Sequence, residues 1–445
     1  MMQSFRKRIT LKRLLLLVAL FQILVLFVLF LNRPPIHLSW LVPADEATSW
    51  QTLIDDFEAK NPKIKVDLRT KLNLGGFVTY QLREEYMIDC RSGNSFYDLI
   101  YTDIIWVPEL AAQGCLRDLS QWTNRKELID EKGFIESQIR AGVYDDKLYR
   151  LPLRSEIGLL YYRKDLVGED IESLETFQEL VDLSKKLRSQ GKSEWHYLWQ
   201  GWRYEGLVAV FFEVLKGYGG FWIDPKTLQV GLDEQAAINA VNFLISTIKE
   251  NISPLEVVLY SEADSLEEFQ QGNGVFLRNW PNVWKKVNSE DPKAPLYGGK
   301  VGVKPMRLHV AGVDGVSCNG SWGLGIAKNS KYPKKAWKFI EYLTSQDVQK
   351  NLVLESGFLP SREALFKDKD LVDKYEHLPK LLEAVKTSVL RPPIPQYSEA
   401  SLVLQQYLSQ ALRQQLNHAQ VEVLMRKAAK ETRELLRNPP IASIQ

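Results

Sequence analysis

Tryptophans next to isolated polar side chains are the residues of this chain whose types and spacing could do chemistry. They occur beside glycine or proline in four segments, at 199–206, 219–222, 278–281 and 319–323. An indole face can cover the apolar C–H face of a sugar ring while carboxylates and guanidinium groups hydrogen-bond its hydroxyls. These segments therefore favour a saccharide site, with Trp280 and Trp322 as candidate stacking residues.

Core packing is the competing interpretation of every tryptophan in the chain. Four of them lie within helical or apolar patterns and are assigned to the core, namely Trp50, Trp106, Trp195 and Trp337. Trp280 and Trp322 lie instead beside Pro281 and Gly323, where secondary-structure elements are expected to end. For these two, neighbouring residues alone leave core and site roles equally open.

Three acids stand where a ligand could reach them. Asp103 follows a predicted strand at its carboxyl end, which is the edge at which open parallel sheets bind ligands. The alternative is that its side chain caps the helix that comes next in the sequence. Glu156 precedes an apolar run and could face a cleft or pair with Arg154. Glu46, in the loop after the first strand, is similarly open to either interpretation.

Two such acids could also act in a glycoside hydrolase, as acid and nucleophile. That chemistry requires carboxyl groups about 5–5.5 Å apart for retention or about 6.5–9.5 Å apart for inversion. No catalytic signature accompanies Asp103, Glu156 or Glu46. We therefore expect a binding protein rather than an enzyme, with hydrolysis as an alternative.

Other site chemistries have no support in the sequence. A phosphate loop, a dinucleotide fingerprint, a zinc-protease helix and a nucleophile elbow are all missing at the required spacing. The five histidines are scattered, with no His/Cys spacing that suggests a metal site. We expect no metal and no cofactor.

The charge distribution argues against nucleic acid as a partner. The chain has 57 Lys+Arg and 55 Asp+Glu, but six of the bases precede residue 34, where there is no acid. The remaining 51 bases face 55 acids, so residues 34–445 are mildly acidic. Such a surface cannot neutralise many phosphates.

The elements that would position these residues alternate between strand and helix. A strand is predicted from Ile36, a helix from the spacing of Trp50 to Phe57, and a second strand from Ile64. Residues 98–101 predict a buried strand, 106–112 a helix, and apolar stripes near 337–343, 404–412 and 421–435 predict later helices. The fold class is therefore α/β, long enough for two core-forming domains.

The N-terminus predicts a membrane anchor. Residues 14–31 are apolar except for Gln22 and would span roughly 27 Å, close to the ~30 Å of a bilayer core. Five bases precede this segment, which favours a cytoplasmic N-terminus and an exported body. A cleaved signal peptide is the alternative. Outside the cytoplasm at most one pair of the three cysteines could bond, with Cys90 and Cys115 as the candidate.

Six segments, in order, resemble the cluster 1 extracellular solute-binding proteins that supply sugars to ABC importers. The resemblance extends from about Ile36 to Leu436. The segments are FEAKNPKIKV at 57–66, YDLIYTDIIW at 97–106, KLYRLP at 147–152 with GLLYYRKDL at 158–166, WGLGI at 322–326, AWKFI at 336–340 and RPPIPQY at 391–397. Within the family, residues 199–207 and 278–281 are most similar to the trehalose/maltose-binding branch.

This resemblance implies ligand-binding roles for particular residues. Acids that bind sugar hydroxyls correspond to Glu46, Asp103 and Glu156, stacking platforms to Trp280 and Trp322, and a ligand-facing arginine to Arg391. Arg154 stands where the branch often has tyrosine and joins the predicted site, and Glu156 replaces an aspartate. Thr70 replaces a ligand-binding arginine, so that contact is not transferred. The sugar could thus be trehalose, maltose, sucrose or a glucosylglycerol-like osmolyte.

The resemblance also implies a two-lobed periplasmic-binding-protein fold, preceded by one transmembrane helix, with the ligand between lobes that close by a hinge. The predicted division is 1–35 for the cytoplasmic basic segment, anchor and linker, 36–153 plus 322–360 for lobe 1, and 154–321 plus 361–445 for lobe 2. The expected function is sugar capture for a membrane permease, at the periplasmic or extracytoplasmic face, anchored by residues 14–31 unless these are cleaved. A membrane-anchored sugar-sensing or scaffold ectodomain is a further alternative.

Overall fold

A computed structural model describes residues 34–72, 78–288, 295–296 and 298–437, together with position 22. Within these ranges no helix combines the length and the apolar character that crossing a bilayer requires. The predicted span at 14–31 lies outside the described residues, apart from Gln22.

Eleven strands are described. They are β1 Ile36–Pro43, β2 Ile64–Lys71, β3 Leu99–Asp103, β4 Val143–Tyr144, β5 Lys147–Leu148, β6 Leu151–Arg154, β7 Leu159–Arg163, β8 Tyr197–Leu198, β9 Phe276–Asn279, β10 Val301–Pro305 and β11 Trp322–Ile326. β4 and β5 pair only with each other.

The α-helices of the described ranges lie between and after these strands. They are α1 Ala47–Lys60, α2 Val78–Ser92, α3 Val107–Ala112, α4 Glu136–Arg140, α5 Lys164–Val167, α6 Phe177–Ser189, α7 Glu205–Gly217, α8 Gln235–Lys249, α9 Glu262–Gln270, α10 Val283–Val287, α11 Pro333–Leu343, α12 Gln346–Ser356, α13 Lys369–Lys374, α14 Leu378–Lys386, α15 Tyr397–Arg413 and α16 His418–Arg437. Short 3-10 turns at Ala44–Glu46 and Ile104–Trp106 follow β1 and β3 directly.

The first sheet brings several strand ends to one edge. Its order is β2-β1-β3-β11-β6, with β1 parallel to both β2 and β3 and β11 antiparallel to its two neighbours. The carboxyl ends of β1, β3 and β6 and the beginning of β11 therefore meet at the same edge. Trp322 accordingly lies opposite both Asp103 and Arg154.

The second sheet has the order β10-β7-β9-β8. β7 is antiparallel to β9 and β10, whereas β8 is parallel to β9. The beginning of β7 at Leu159 therefore lies opposite Asn279, the last residue of β9. Trp280 follows Asn279 at this edge.

The chain passes between the two sheets more than once. β6 belongs to the first sheet and β7 to the second, so residues 155–158 form one crossing, and the segment between β10 and β11 returns. Arg154, the last residue of β6, lies one residue beyond the predicted lobe 1 boundary at 153. The division of the remaining segments between lobes stays a prediction.

Local sequence patterns account for the helices and their buried faces. α1 buries Trp50, Leu53, Ile54 and Phe57, the three- and four-residue spacing that predicted it. The predicted strand, helix and strand at the start of the body are confirmed by β1, α1 and β2. α7, in contrast, is apolar around most of its circumference and is almost entirely buried. Its first residue is Glu205.

A disulfide joins α2 to the residues after α3. Cys90 and Cys115 are bonded, with Cα atoms 5.4 Å apart, and Cys318 is buried and free. The candidate pair from the sequence is therefore formed. Such a bond is typical of proteins outside the cytoplasm.

The bond closes a loop of about 25 residues, so its loss should destabilise the fold by ~3 kcal/mol. We expect a reductant to lower the thermal denaturation midpoint of the native protein. The double variant Cys90→Ser, Cys115→Ser should begin at the lower midpoint and should not respond to the reductant. An equal response of both proteins would contradict this expectation.

Candidate functional site

A cavity of about 300 Å³ lies between the edges of the two sheets. The first sheet and its connections provide Glu46, Asp103, Glu156 and Trp322 to its wall. The second sheet and its helices contribute further residues, among them Trp280, Tyr204, Glu205, Glu262 and Asn279, and Arg391 also lines it. This volume is at the lower end of the range for small-molecule sites.

Glu46 and Glu156 are held by one buried arginine. The Arg154 guanidinium donates from Nη2 to Oε1 of Glu46 at 2.9 Å, and its Nε lies 2.9 Å from Oε1 of Glu156. The same guanidinium stands 3.9 Å from the ring centre of Phe358. Arg154 does not line the cavity but lies behind its two acids. Of the predicted site residues it is the one set back from the cavity wall.

Both oxygens of Glu46 are already occupied. Oε1 accepts from Arg154, while Oε2 accepts from Trp50 Nε1 at 3.0 Å and from the Tyr101 hydroxyl at 2.9 Å. A ligand hydroxyl would have to share these acceptors. Glu46 thus contributes its charge and its shape to the cavity wall, and it offers no carboxylate oxygen that is free of protein donors.

Asp103 combines the two roles that the sequence left open. Its Oδ1 accepts from the backbone N–H of Ile105 at 3.2 Å, which caps the 3-10 turn after β3, and the side chain also lines the cavity. Burial raises the pKa of Asp103 to about 6, although the guanidinium of Arg391, 3.8 Å away, opposes that shift.

Glu156 is the second acid with an altered pKa. Its side chain is buried, and burial raises its pKa to about 7 despite the nearby charge of Arg154. Two backbone contacts fix its position: its N–H donates to Ser321 Oγ at 2.9 Å, and its carbonyl accepts from Gly320 N–H at 2.9 Å. These bonds tie the crossing segment to the start of β11.

Trp280 lines the cavity from the edge of the second sheet and has fixed contacts on two sides. The Arg278 guanidinium lies 4.0 Å from its ring centre, and its indole N–H donates to Oε1 of Glu262 at 3.1 Å. Arg278 is itself fully buried and paired with Glu213 through bonds of 2.9 and 3.1 Å. A buried ion pair therefore orients the predicted stacking residue.

Arg391 connects the two sides of the cavity. Besides Asp103, its guanidinium contacts Glu205, which also accepts from the Tyr397 hydroxyl and from Ser401 Oγ at 2.6 Å. Arg391 is buried, and its Nε has no partner among the described residues. That nitrogen is itself buried from solvent.

The oxygens of the cavity that accept no described hydrogen bond from the protein include Oδ2 of Asp103 and Oε2 of Glu156. These acceptors, the side chain of Arg391 and the rings of Trp280 and Trp322 form a mixed polar and aromatic surface. Such a surface can bind the hydroxyls and the apolar faces of a sugar.

Three acids that line the cavity, Asp45, Glu205 and Glu262, were not predicted as site residues. Glu205 is the first residue of α7 and follows the aromatic segment at 199–204, so its position next to that segment was the available signal. Glu262 begins α9 after the capping residue Ser261, and no local pattern marks it. Its Oε2 accepts from the Tyr204 hydroxyl at 2.6 Å. In the described part of the chain no group of His, Cys, Asp and Glu side chains is arranged to hold a metal ion.

Residues 43–350 match the family described as bacterial extracellular solute-binding protein. Because this match covers well over half of the chain, the chain belongs to that family. A probable ABC transporter-binding protein of Deinococcus radiodurans is 28% identical over 301 residues, which are 66% of this chain and 69% of the relative. The maltotriose-binding protein of Pyrococcus abyssi is 22% identical over 397 residues, 87% of this chain and 79% of its own length.

Solved structures show the same fold. Maltose-bound MalE3 of T. maritima is 30% identical, with a TM-score of 0.79 over 91% of this chain and 100% of its own. A solute-binding protein of Agrobacterium radiobacter K84 in complex with ribitol is 22% identical, covers 91% and 100%, and has a TM-score of 0.77. The predicted two-lobed α/β fold is thus confirmed. As predicted, the chain is a solute-binding protein and not an enzyme.

The raised pKa of Glu156 makes the stability of the unliganded protein depend on pH. Between its ordinary value of 4.5 and about 7, the folded protein holds a proton that the unfolded chain has lost, so this group destabilises the fold as pH rises. Glu156→Gln should raise the free energy of unfolding above about pH 7.5 by on the order of 2–3 kcal/mol, with little effect near pH 4.

Denaturant unfolding at several pH values measures this effect. Glu169→Gln, at an exposed position of a surface turn, is the matched control and should leave the pH profile unchanged. A Glu156→Gln profile parallel to that of the native protein would show that Glu156 does not carry the effect.

Proposed function

We propose that this solute-binding protein captures a sugar in the cavity between its lobes and delivers it to the membrane permease of an ABC importer. The observation that carries the proposal is the convergence of two indole rings and two open carboxylate oxygens on one cavity. Trp322 comes from the first sheet and Trp280 from the edge of the second. Sugars present the apolar faces and hydroxyls that match this set.

In this proposal the predicted residues have different roles in binding the sugar. Trp280 and Trp322 cover the sugar rings, Asp103 and Glu156 accept hydrogen bonds from hydroxyls, and Arg391 donates one. Closure of the lobes by a hinge would expel water, which strengthens those hydrogen bonds. The closed form would then be the one that the permease receives.

Arg154 takes a different role in this proposal from direct ligand contact. Its guanidinium holds Glu46 and Glu156 from behind the cavity wall, so we assign it as a positioning residue. Its place next to the crossing at 155–158 would make it sensitive to the relative position of the lobes. The proposed lobes keep the predicted boundaries except at Arg154, which we assign to lobe 1 because it ends β6 of the first sheet.

The ligand that we propose is a disaccharide or a glucosyl osmolyte, such as trehalose, maltose, sucrose or a glucosylglycerol. The maltose bound to MalE3 and the name of the maltotriose-binding protein support a glucosyl sugar. The family is extracellular, and we propose that residues 14–31 anchor the protein at the extracytoplasmic face of the membrane.

A sugar titration tests this function. The full chain, in detergent, is titrated with trehalose, maltose, sucrose and glucosylglycerol while tryptophan emission is followed, and each sugar is then recovered. We expect a saturable change with at least one sugar, which is recovered intact. The absence of a response to all four would overturn the proposed ligand class.

Trp280→Ala should weaken binding of the responding sugar by more than roughly tenfold, about the loss of one aromatic contact. The matched control is Trp122→Ala, because Trp122 stacks on Trp337 at 5.6 Å, away from the cavity. The control should bind as the native protein does, and far-UV spectra should show that both variants fold. Native affinity in Trp280→Ala would remove this ring from the site.

A further inference from the structure

A second chamber, of about 260 Å³, adjoins the cavity already described. The two spaces share three wall residues, Thr79, Tyr204 and Glu205. The two spaces are therefore neighbours, with the side chains of these three residues at their common border.

The walls of the second chamber come from both lobes. Tyr80 of α2 and the buried residues Ile105 and Trp106 lie on one side, and Tyr397 and Leu402 of α15 lie on the other. Their side chains are aromatic or aliphatic. The surface that they form is much less polar than that of the first cavity, where acids predominate.

The charged groups of this chamber are already paired with one another. Arg83 binds the buried carboxylate of Glu109, which also accepts from Ser398 Oγ at 2.6 Å. Ser401 donates to Glu205 at 2.6 Å and accepts from Gln405 Nε2 at 2.9 Å. A sugar hydroxyl placed here would have to compete for these groups, since breaking a buried hydrogen bond costs free energy.

The aromatic surface is continuous between the two spaces. Trp106, a wall of the second chamber, meets Trp322, a wall of the first, edge to face with ring centres 5.3 Å apart. A sugar ring on Trp322 would thus direct any substituent on that side toward Trp106.

From this contrast we propose that the second chamber binds an apolar substituent, so that this protein takes glycosides with an aliphatic or aromatic aglycone. The inference rests on the proposed sugar-binding function, since the sugar must occupy the first cavity. The first cavity supplies the open acceptors that hydroxyls require, and the second supplies apolar area without open charged groups. A ligand with a sugar at one end and an apolar group at the other satisfies both.

Calorimetric titration of the full chain with methyl, n-butyl and phenyl α-D-glucopyranoside tests this proposal. Each methylene that leaves water should tighten binding about fourfold, which corresponds to ~0.8 kcal/mol. The three additional methylenes of the butyl compound should therefore lower its Kd at least tenfold relative to the methyl compound. The phenyl compound should show a similar gain.

Two variants test whether the gain in affinity from the butyl group arises in the second chamber. Leu402 is 44% exposed and walls the second chamber but not the first, so Leu402→Ser should reduce the ratio of methyl to butyl Kd values severalfold. Val423, 54% exposed on α16, lines neither space, and Val423→Ser should keep the native ratio.

Equal Kd values for the methyl and butyl compounds, or the absence of binding by any of the three glucosides, overturns the proposal. A gain that is the same in Leu402→Ser as in the native protein also overturns it, because the apolar group then binds elsewhere. The disaccharide titration decides the proposed function separately. Maltose or trehalose that binds without any butyl gain would leave that function standing and this inference refuted.

Discussion

The cavity depends on one constraint: Arg391, which is buried beside it, must keep its acidic partners. Arg391 contacts Glu205 at the start of α7 and lies 3.8 Å from Asp103 at the end of β3. Removing one partner from such a pair would leave a buried charge unpaired, which is strongly destabilising. These ion pairs join residues from both sides of the space in which a ligand can lie.

Hydrogen bonding divides five of the acids of the cavity into two groups. Glu46, Glu205 and Glu262 have both carboxylate oxygens occupied by protein donors, so they orient arginines, phenols and two indoles. Asp103 and Glu156 each keep one oxygen without such a donor, and burial raises the pKa of both. A ligand that donates to those oxygens replaces the solvation that burial removed, which favours hydroxyl-rich solutes.

Sequence reasoning reached most of this site because its residues lie at strand ends or within family motifs. Asp103 ends a strand that is visible in the sequence, and Trp322 starts another. Sequence reasoning did not identify Glu262. This residue belongs to the cavity wall because the first turn of α9 lies next to the ring of Trp280. Sequence reasoning also assigned Arg154 to the ligand-binding site, and this role stays a prediction; the fold pairs its guanidinium with Glu46 and Glu156.

The sequence by itself determined the alternation of strands and helices, the exported character of the body and the types of side chain available for binding. These follow from hydrophobic periodicity and charge, which are properties of neighbouring residues. Only the tertiary structure decided which acids share an arginine, which carboxylate oxygens stay open and that an apolar chamber adjoins the cavity. Those features depend on contacts such as Arg391 with Glu205, 186 positions apart, and local patterns carry no information about such pairs.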